Sequence, residues 1–224
     1  MLLLAFDTAT PAITVGLCDG ATVLAERTVL DARRHAELLA PGIEAVLAEA
    51  GVRPGDLTDL VVGTGPGPFT GLRVGLVTAR TLAAVLAVPA HGVCTLDALA
   101  MTAMLGEAVG GVGQSFLVAT DARRREVYWA EYVVGSQVPQ RVGEPQVGRA
   151  DDVPVVGRPV VGRGAALYPQ ALGAPVGPLD PSAAGLALLA ARSWDAGADL
   201  GDLSPRYLRR PDVHEGAVPK SVLP

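Results

Sequence analysis

The chain has 224 residues, 50% of them hydrophobic, 18% charged and only 4% aromatic, with a formal net charge of −5. Such a composition excludes global disorder and calls for one large domain or two small ones with a core of Ala, Val and Leu. The acidic balance argues against a stand-alone nucleic-acid binder, and two cysteines, Cys18 and Cys94, make neither a disulfide framework nor a zinc site.

The first residues lack a basic start and reach an acid at Asp7, unlike a signal peptide, and the uncharged stretch 81–96 is too short for a span and holds Pro89. A cytoplasmic protein with no membrane partner is expected. Residues 2–7 predict a strand that runs into the polar turn Thr8-Ala9-Thr10-Pro11. Ile13, Val15 and Leu17 alternate with smaller residues, Asp19-Gly20 turns the chain, and 22–30 reads as a third strand of an antiparallel meander. A helix follows over 34–50, with Leu39, Ile43, Val46, Leu47 and Ala50 on one face, a bend expected at Pro41-Gly42 and Gly51 as its stop. Residues 60–64 are apolar throughout, as a buried parallel strand requires.

A glycine-proline loop over 63–71 leads into a helix at 72–87, closed by Pro89. Gly71, Gly75, Ala79, Ala83 and Ala87 recur along it at every fourth position. Glycine inside a helix costs about 1 kcal/mol against alanine, so another backbone is expected to pack tightly on Gly75. A further helix is placed over 96–105, and the glycine-rich stretch 107–114 reads as a linker between a first lobe, 1–107, and a smaller second lobe, 108–224. The opening pattern then returns. Residues 116–121 form a strand that closes on Asp121 as 2–7 closes on Asp7, and a strand at 126–134 comes after the turn. The Pro- and Gly-rich region 135–180 offers one strand-turn signal, Pro159-Val160-Val161-Gly162-Arg163-Gly164. A last helix spans 181–196, and the tail from Gly197 is expected to return to the first lobe. This order, with a shorter copy after it, predicts an α/β fold of two ribonuclease-H-like lobes, mixed sheets flanked by helices, as in the actin, sugar-kinase and Hsp70 superfamily.

The residues offer few chemical groups in any working arrangement. Asp7, Thr8 and Thr10 suit either a metal-and-phosphate turn or an Asx turn that bonds its own backbone. The loop 63–71 brings amides close together, but it lacks the lysine of a phosphate-binding loop and loses two donors to Pro66 and Pro68, which favours a rigid turn. His35, His91 and His214 are far apart, Cys94 has the surroundings of a core cysteine, and Arg123-Arg124-Arg125 reads as a solvated cluster in a turn. No catalytic constellation, metal site or cofactor site is visible. The two amphipathic helices carry apolar positions beyond those needed to cover one sheet, which leaves two readings open: both faces buried, or a two-helix docking surface. An actin-fold ATPase or small-molecule kinase using Asp7 and the 63–71 loop is the rival.

The segment Gly63-Thr64-Gly65-Pro66-Gly67-Pro68-Phe69-Thr70-Gly71-Leu72-Arg73-Val74-Gly75 resembles the signature of the bacterial TsaB family, also called YeaZ. Phe6-Asp7-Thr8-Ala9-Thr10, Arg34-His35-Ala36-Glu37-Leu38-Leu39, the stretch from Asp121 to Tyr128 and Pro205-Arg206-Tyr207-Leu208-Arg209 add matches in order along the chain. The resemblance implies a non-catalytic accessory subunit in the formation of threonylcarbamoyladenosine beside the tRNA anticodon. Its implied partners are the catalytic TsaD subunit and the TsaE ATPase, with tRNA met only through the complex and a homodimer open to the free protein. It also implies a partner surface on the first two helices, for which His35, Leu38, Leu39, Leu72, Gly75, Leu76, Ala79, Leu82 and Ala83 are the candidates. A large residue at Gly75 or Ala79 is then expected to abolish pairing in a folded monomer. The catalytic paralogue's His-x-x-x-His metal pair falls on Thr95 and Leu99 here, neither of which replaces a histidine ligand. Asp7, Thr8 and Thr10 are then remnants of an ancestral nucleotide site.

Overall fold

In the computed structural model residues 1–209 are described; His214 lies outside them. β1 (Leu3–Asp7) is buried along its whole length because it runs through the middle of a five-stranded sheet with a helical layer on each face. It pairs antiparallel with β2 (Ala12–Cys18), which pairs antiparallel with β3 (Val23–Leu30). On its other side it pairs parallel with β4 (Asp59–Gly63), and β4 pairs parallel with β5 (Ala90–Val93). The alternation of side chains across β1 distributes the core. Leu4 and Phe6 face α1 (His35–Ala50) and α2 (Phe69–Leu86), meeting Leu39, Ile43, Leu72 and Leu76. Leu3 and Ala5 face the opposite layer, α3 (Thr95–Leu105) and a C-terminal helix, where they meet Ala98, Met101, Leu186 and Ala190. Each leucine fully buried in these layers is worth roughly 1.5–3 kcal/mol.

The second sheet repeats the first in shortened form. β6 (Ser115–Asp121) pairs antiparallel with β7 (Glu126–Val133), β7 with β8 (Gln140–Arg149), and β6 parallel with β9 (Val160–Val161). The strand order β8-β7-β6-β9 therefore mirrors β3-β2-β1-β4, with no counterpart of β5. The short helices α4 (Arg163–Leu167) and α5 (Pro169–Leu172) cover one face through Ala165 and Leu172. α3 covers the other through Leu96, Leu99 and Ala103, so this one helix is shared by both sheets and carries apolar side chains toward each, as such a position demands. α6 (Ala183–Asp195) follows the second sheet in sequence yet packs on the first. Its N-cap Ser182 accepts from Gly185 N, and Ala183 N donates to the Thr14 hydroxyl of β2 at 2.8 Å. The sheets thus fall on either side of residue 107, while α6 is a layer of the first lobe.

Three local features depart from the sequence reading. α1 runs unbroken through Pro41. α2 begins at Phe69 and not at 72, because Pro68 is its N-cap and the Phe-Thr-Gly of the loop is already helical. β8 was not anticipated, since it is a mostly exposed edge strand interrupted by Gly143 and Pro145, with no apolar alternation to mark it.

Candidate functional site

The turn after β1 meets the glycine-proline loop and the starts of α1 and α2, and each of its polar side chains is hydrogen-bonded within the protein. Asp7 is fully buried; its Oδ1 accepts from Ala9 N at 2.6 Å and its Oδ2 from the Thr95 hydroxyl at 2.7 Å. Thr95 Oγ1 in turn accepts from Gly65 N at 3.1 Å. Burial raises the Asp7 carboxyl to about 6, against the opposing pull of Thr95 and the Ala9 amide. A Cβ on Gly63 would lie 1.8 Å from Asp7 Oδ2, and one on Gly67 2.0 Å from the Ala9 carbonyl oxygen. These glycines therefore admit the protein's own β1–β2 turn, not an anion. Asp7, Thr8 and Thr10 are internal ties: the carboxylate is sealed from solvent, and among the described residues no group of three or more His, Cys, Asp or Glu is placed to hold a metal.

Thr8 has an unusual position. Its hydroxyl donates to Gly71 O at 2.8 Å and accepts from Gly75 N at 3.0 Å, the two groups that the helical ladder of α2 would pair with each other. Gly75 is what lets it in, since a Cβ there would lie 2.7 Å from Thr8 Oγ1. The backbone that packs on the small-residue row is thus the β1–β2 turn of the same lobe. His35, which is also buried, donates from Nε2 to the Thr10 carbonyl oxygen at 2.9 Å and so fixes the start of α1 to that turn.

This geometry revises the list of partner-facing residues. His35, Leu39, Leu72, Gly75, Leu76 and Ala79 are buried in the lobe's own core, where they hold the helices on the sheet; Leu38, Leu82 and Ala83 are half-buried. A large residue at Gly75 would unseat Thr8 before it touched a partner. The exposed apolar positions lie elsewhere on the same helices: Val77 is 58% exposed and Val85 75%, with Ala36, Ala40 and Ala84 also open. By length and composition α2 is apolar enough to cross a membrane, yet only 28% of its residues are buried. The candidate positions of the small-residue row thus face the lobe's own interior, and Gly and Ala at every fourth position fit a close contact of either kind.

Two further features flank this region. A cavity of about 250 Å³ opens where Thr8 and Thr10 meet the N-termini of α1 and α2, with Arg33 and Arg123 at its edge. Arg123, Arg124 and Arg125 all have left-handed backbones, with φ of 63°, 55° and 65°, in the β6–β7 turn. On the opposite side, Asp97 accepts from Tyr132 OH and from Arg141 NH1, both at 2.7 Å. Cys94 beside it is pushed up to about 12 by burial, which makes it an inert thiol at neutral pH.

The duplicated fold is of the actin-like class, with the turn after β1 sealed by its own side chains. Residues 23–213 match the family described as "TsaD: tRNA N6-adenosine threonylcarbamoyltransferase". The chain is similar to an uncharacterised protein of Mycobacterium tuberculosis, 46% identical with 96% of this chain and 95% of that one covered. It is 40% identical to the tRNA threonylcarbamoyladenosine biosynthesis protein TsaB of Escherichia coli over 59% of this chain and 55% of that one. Among solved structures, YeaZ from Pseudomonas aeruginosa superposes with a TM-score of 0.78 at 29% identity, covering 92% of this chain and 99% of that one. The chain belongs to this family, on its TsaB/YeaZ branch.

Proposed function

We propose that this protein is a non-catalytic accessory subunit in the formation of threonylcarbamoyladenosine in tRNA, and that it docks onto a TsaD-type catalytic subunit through the outer face of α1 and α2. The observation that carries the reading is α2 itself, an apolar 18-residue helix of which only 28% is buried. Isolated exposed valines are ordinary on a monomer, but Val77, Ala84 and Val85 lie exposed along one helix with half-buried Val74, Leu82, Ala83 and Leu86 beside them, and an apolar patch of this kind marks an interaction site. The face is interrupted by Arg73 and Arg80, and its inner side is locked to the β1–β2 turn by Thr8. Both features fit a protein partner better than lipid. A role without chemistry of its own is supported by the sealed Asp7, and Thr95, at the position of a metal-binding histidine in the catalytic paralogue, is spent on holding that carboxylate. The TsaE ATPase and tRNA are reached on this reading through the complex.

The test replaces Val77 or Val85 by Asp and measures co-purification with the TsaD subunit of the same organism. A charge in a desolvated interface centre costs about 2–4 kcal/mol, so pairing is expected to weaken by roughly 30- to 1000-fold while circular dichroism stays unchanged. Mass spectrometry of tRNA nucleosides from cells depleted of this protein is expected to show loss of threonylcarbamoyladenosine, restored by the wild-type chain and not by the Asp variants. Pairing at wild-type strength by both variants would remove the α2 surface from the reading. An unchanged level of the modified base in depleted cells would remove the pathway.

A further inference from the structure

A second cavity, of about 270 Å³, lies where the end of β5 and the start of α3 meet α6, the β7–β8 hairpin and the tail. It shares no residue with the cavity beside the β1–β2 turn, and no residue of α1 or α2 lines it. One wall carries Arg141, whose side chain is only 20% exposed. Its Nη1 donates to both oxygens of Asp97 at 2.7 Å, and its Nε donates to Gly143 O at 3.1 Å. Asp97 also accepts from the buried Tyr132 hydroxyl, so the guanidinium is held from behind in one orientation. Its remaining nitrogen, Nη2, donates no hydrogen bond among the described residues and stands 3.9 Å from Glu144 Oε2.

Arg206, on the tail, lines the same cavity. Its main-chain N donates to Thr64 O at 2.9 Å, and its Nη1 lies 3.8 Å from the same Glu144 oxygen. Both separations exceed hydrogen-bond length, and Glu144 is itself 80% exposed and outside the cavity lining. Two guanidinium groups from distant segments thus converge on one loosely held oxygen. Such a pair of donors suits the two oxygens of a carboxylate.

The other charges narrow the class of ligand. Asp199 lines the cavity with no hydrogen bond or ion pair among the described residues. The four charged lining residues, Arg141, Arg206, Asp97 and Asp199, balance, so a dianion meets no net positive charge there. A ligand with one charge of each sign finds a partner for both. Val93, Val138, Leu189 and Leu200 add aliphatic wall. The volume falls below the 300 Å³ or so at which pockets for drug-sized ligands begin, which suits a small metabolite.

We propose that this cavity binds a small aliphatic α-amino acid, its carboxylate held by Arg206 and the open edge of Arg141 and its ammonium group by Asp199, with Glu144 competing for the same two arginines. The inference does not rest on the docking reading, because the site lies apart from α1 and α2 and is tested on the isolated chain.

The experiment is calorimetric titration of the protein with L-alanine, L-valine and L-leucine at neutral pH, together with the N-acetyl and amide forms of each, which lack one charge. Saturable binding of at least one free amino acid is expected, weakened about tenfold or more by Arg206→Gln and about threefold or more by Asp199→Asn. The N-acetyl and amide forms are expected to bind more weakly than the parent amino acid. Glu144→Gln removes the internal competitor and is expected to tighten binding about two- to fivefold, the reverse of what loss of a structural contact would do. Arg27→Gln, on the outer face where Arg27 pairs with Glu49, is the charge control and is expected to stay within about twofold. No saturable binding of any of the three amino acids, equal binding of the N-acetyl form, or losses in Arg206→Gln and Asp199→Asn no larger than in Arg27→Gln would overturn the proposal. Binding unchanged or weakened in Glu144→Gln would overturn it as well, since the carboxylate would then not lie between the two arginines.

Discussion

Burial raises the Asp7 carboxyl to about 6 from 3.8, so between those values the folded protein holds a proton that the unfolded chain has released. Where the native state binds the extra proton, stability falls as pH rises, here from about pH 4 until the group is fully ionised above about pH 6. At 1.36 kcal/mol per pKa unit the shift amounts to about 3 kcal/mol of stability lost across that window. Asp7→Asn keeps an acceptor for the Ala9 amide and removes the titration. The stability difference between the Asn variant and wild type, measured by urea unfolding at several pH values, is expected to grow in favour of the variant from about pH 4 to about pH 6.5 and then level off. Parallel curves for the two proteins over that range would mean that the buried carboxyl does not titrate there. The same residue shows why single positions were only partly legible. An acid after a strand suits a metal site and an Asx turn equally, and Thr95, whose hydroxyl settles the matter, lies 88 positions away.

At the scale of elements, α2 is fixed by a hydroxyl inserted into its own ladder. Gly75→Ala in an ordinary helix would stabilise by up to about 1 kcal/mol. Here the new Cβ would lie 2.7 Å from Thr8 Oγ1, closer than carbon and oxygen can sit, so Thr8 or the helix must move. The substitution is expected to destabilise by about 1–3 kcal/mol in chemical denaturation, the usual cost of overpacking. Thr8→Ala alone leaves the Gly71 carbonyl and Gly75 amide to pair directly at a smaller cost, so the double variant is expected to lose clearly less than the sum of the two. Additive losses would show that the contact is not what excludes a side chain. Apolar patterning made α1, α2, α3, β1, β2 and β4 legible, because each buries apolar side chains, while β3, in which only Ala25 is buried, was marked by the turn before it. It failed at β8, whose exposed edge is held by main-chain pairing with β7, and at the start of α2, where Pro68-Phe69-Thr70-Gly71 has the composition of a loop but the backbone of a first helical turn.

On the scale of the whole molecule, the repeated aspartates Asp7 and Asp121 did report a duplication, for the two sheets share one strand order. What no local pattern could report is that α6 crosses back to the first sheet, while the tail, expected to return to the first lobe, runs along both lobes. Gly201 bridges to Gly92 at the β5 edge, Leu203 O accepts from Arg80, and Arg206 N donates to Thr64 O. Tyr207 lies against Phe69 with ring centroids 5.0 Å apart, its hydroxyl accepts from Arg73 Nε at 3.2 Å, and Arg73 covers the Phe69 ring at 3.5 Å. Arg209 then donates to Ala122 O in the β6–β7 turn and pairs with Glu126 at 3.3 Å. The tail therefore couples the start of α2 to the arginine-rich turn of the second lobe. The Phe69–Tyr207 ring pair and the Arg73–Tyr207 hydrogen bond contribute about 1–2 kcal/mol together, so Tyr207→Ala is expected to lower global stability by about that amount. Its more specific signature is in hydrogen exchange, where protection should fall both at 69–73 and at 121–126, on opposite sides of the cleft. Faster exchange at 69–73 alone would show that the strap holds one lobe without coupling it to the other.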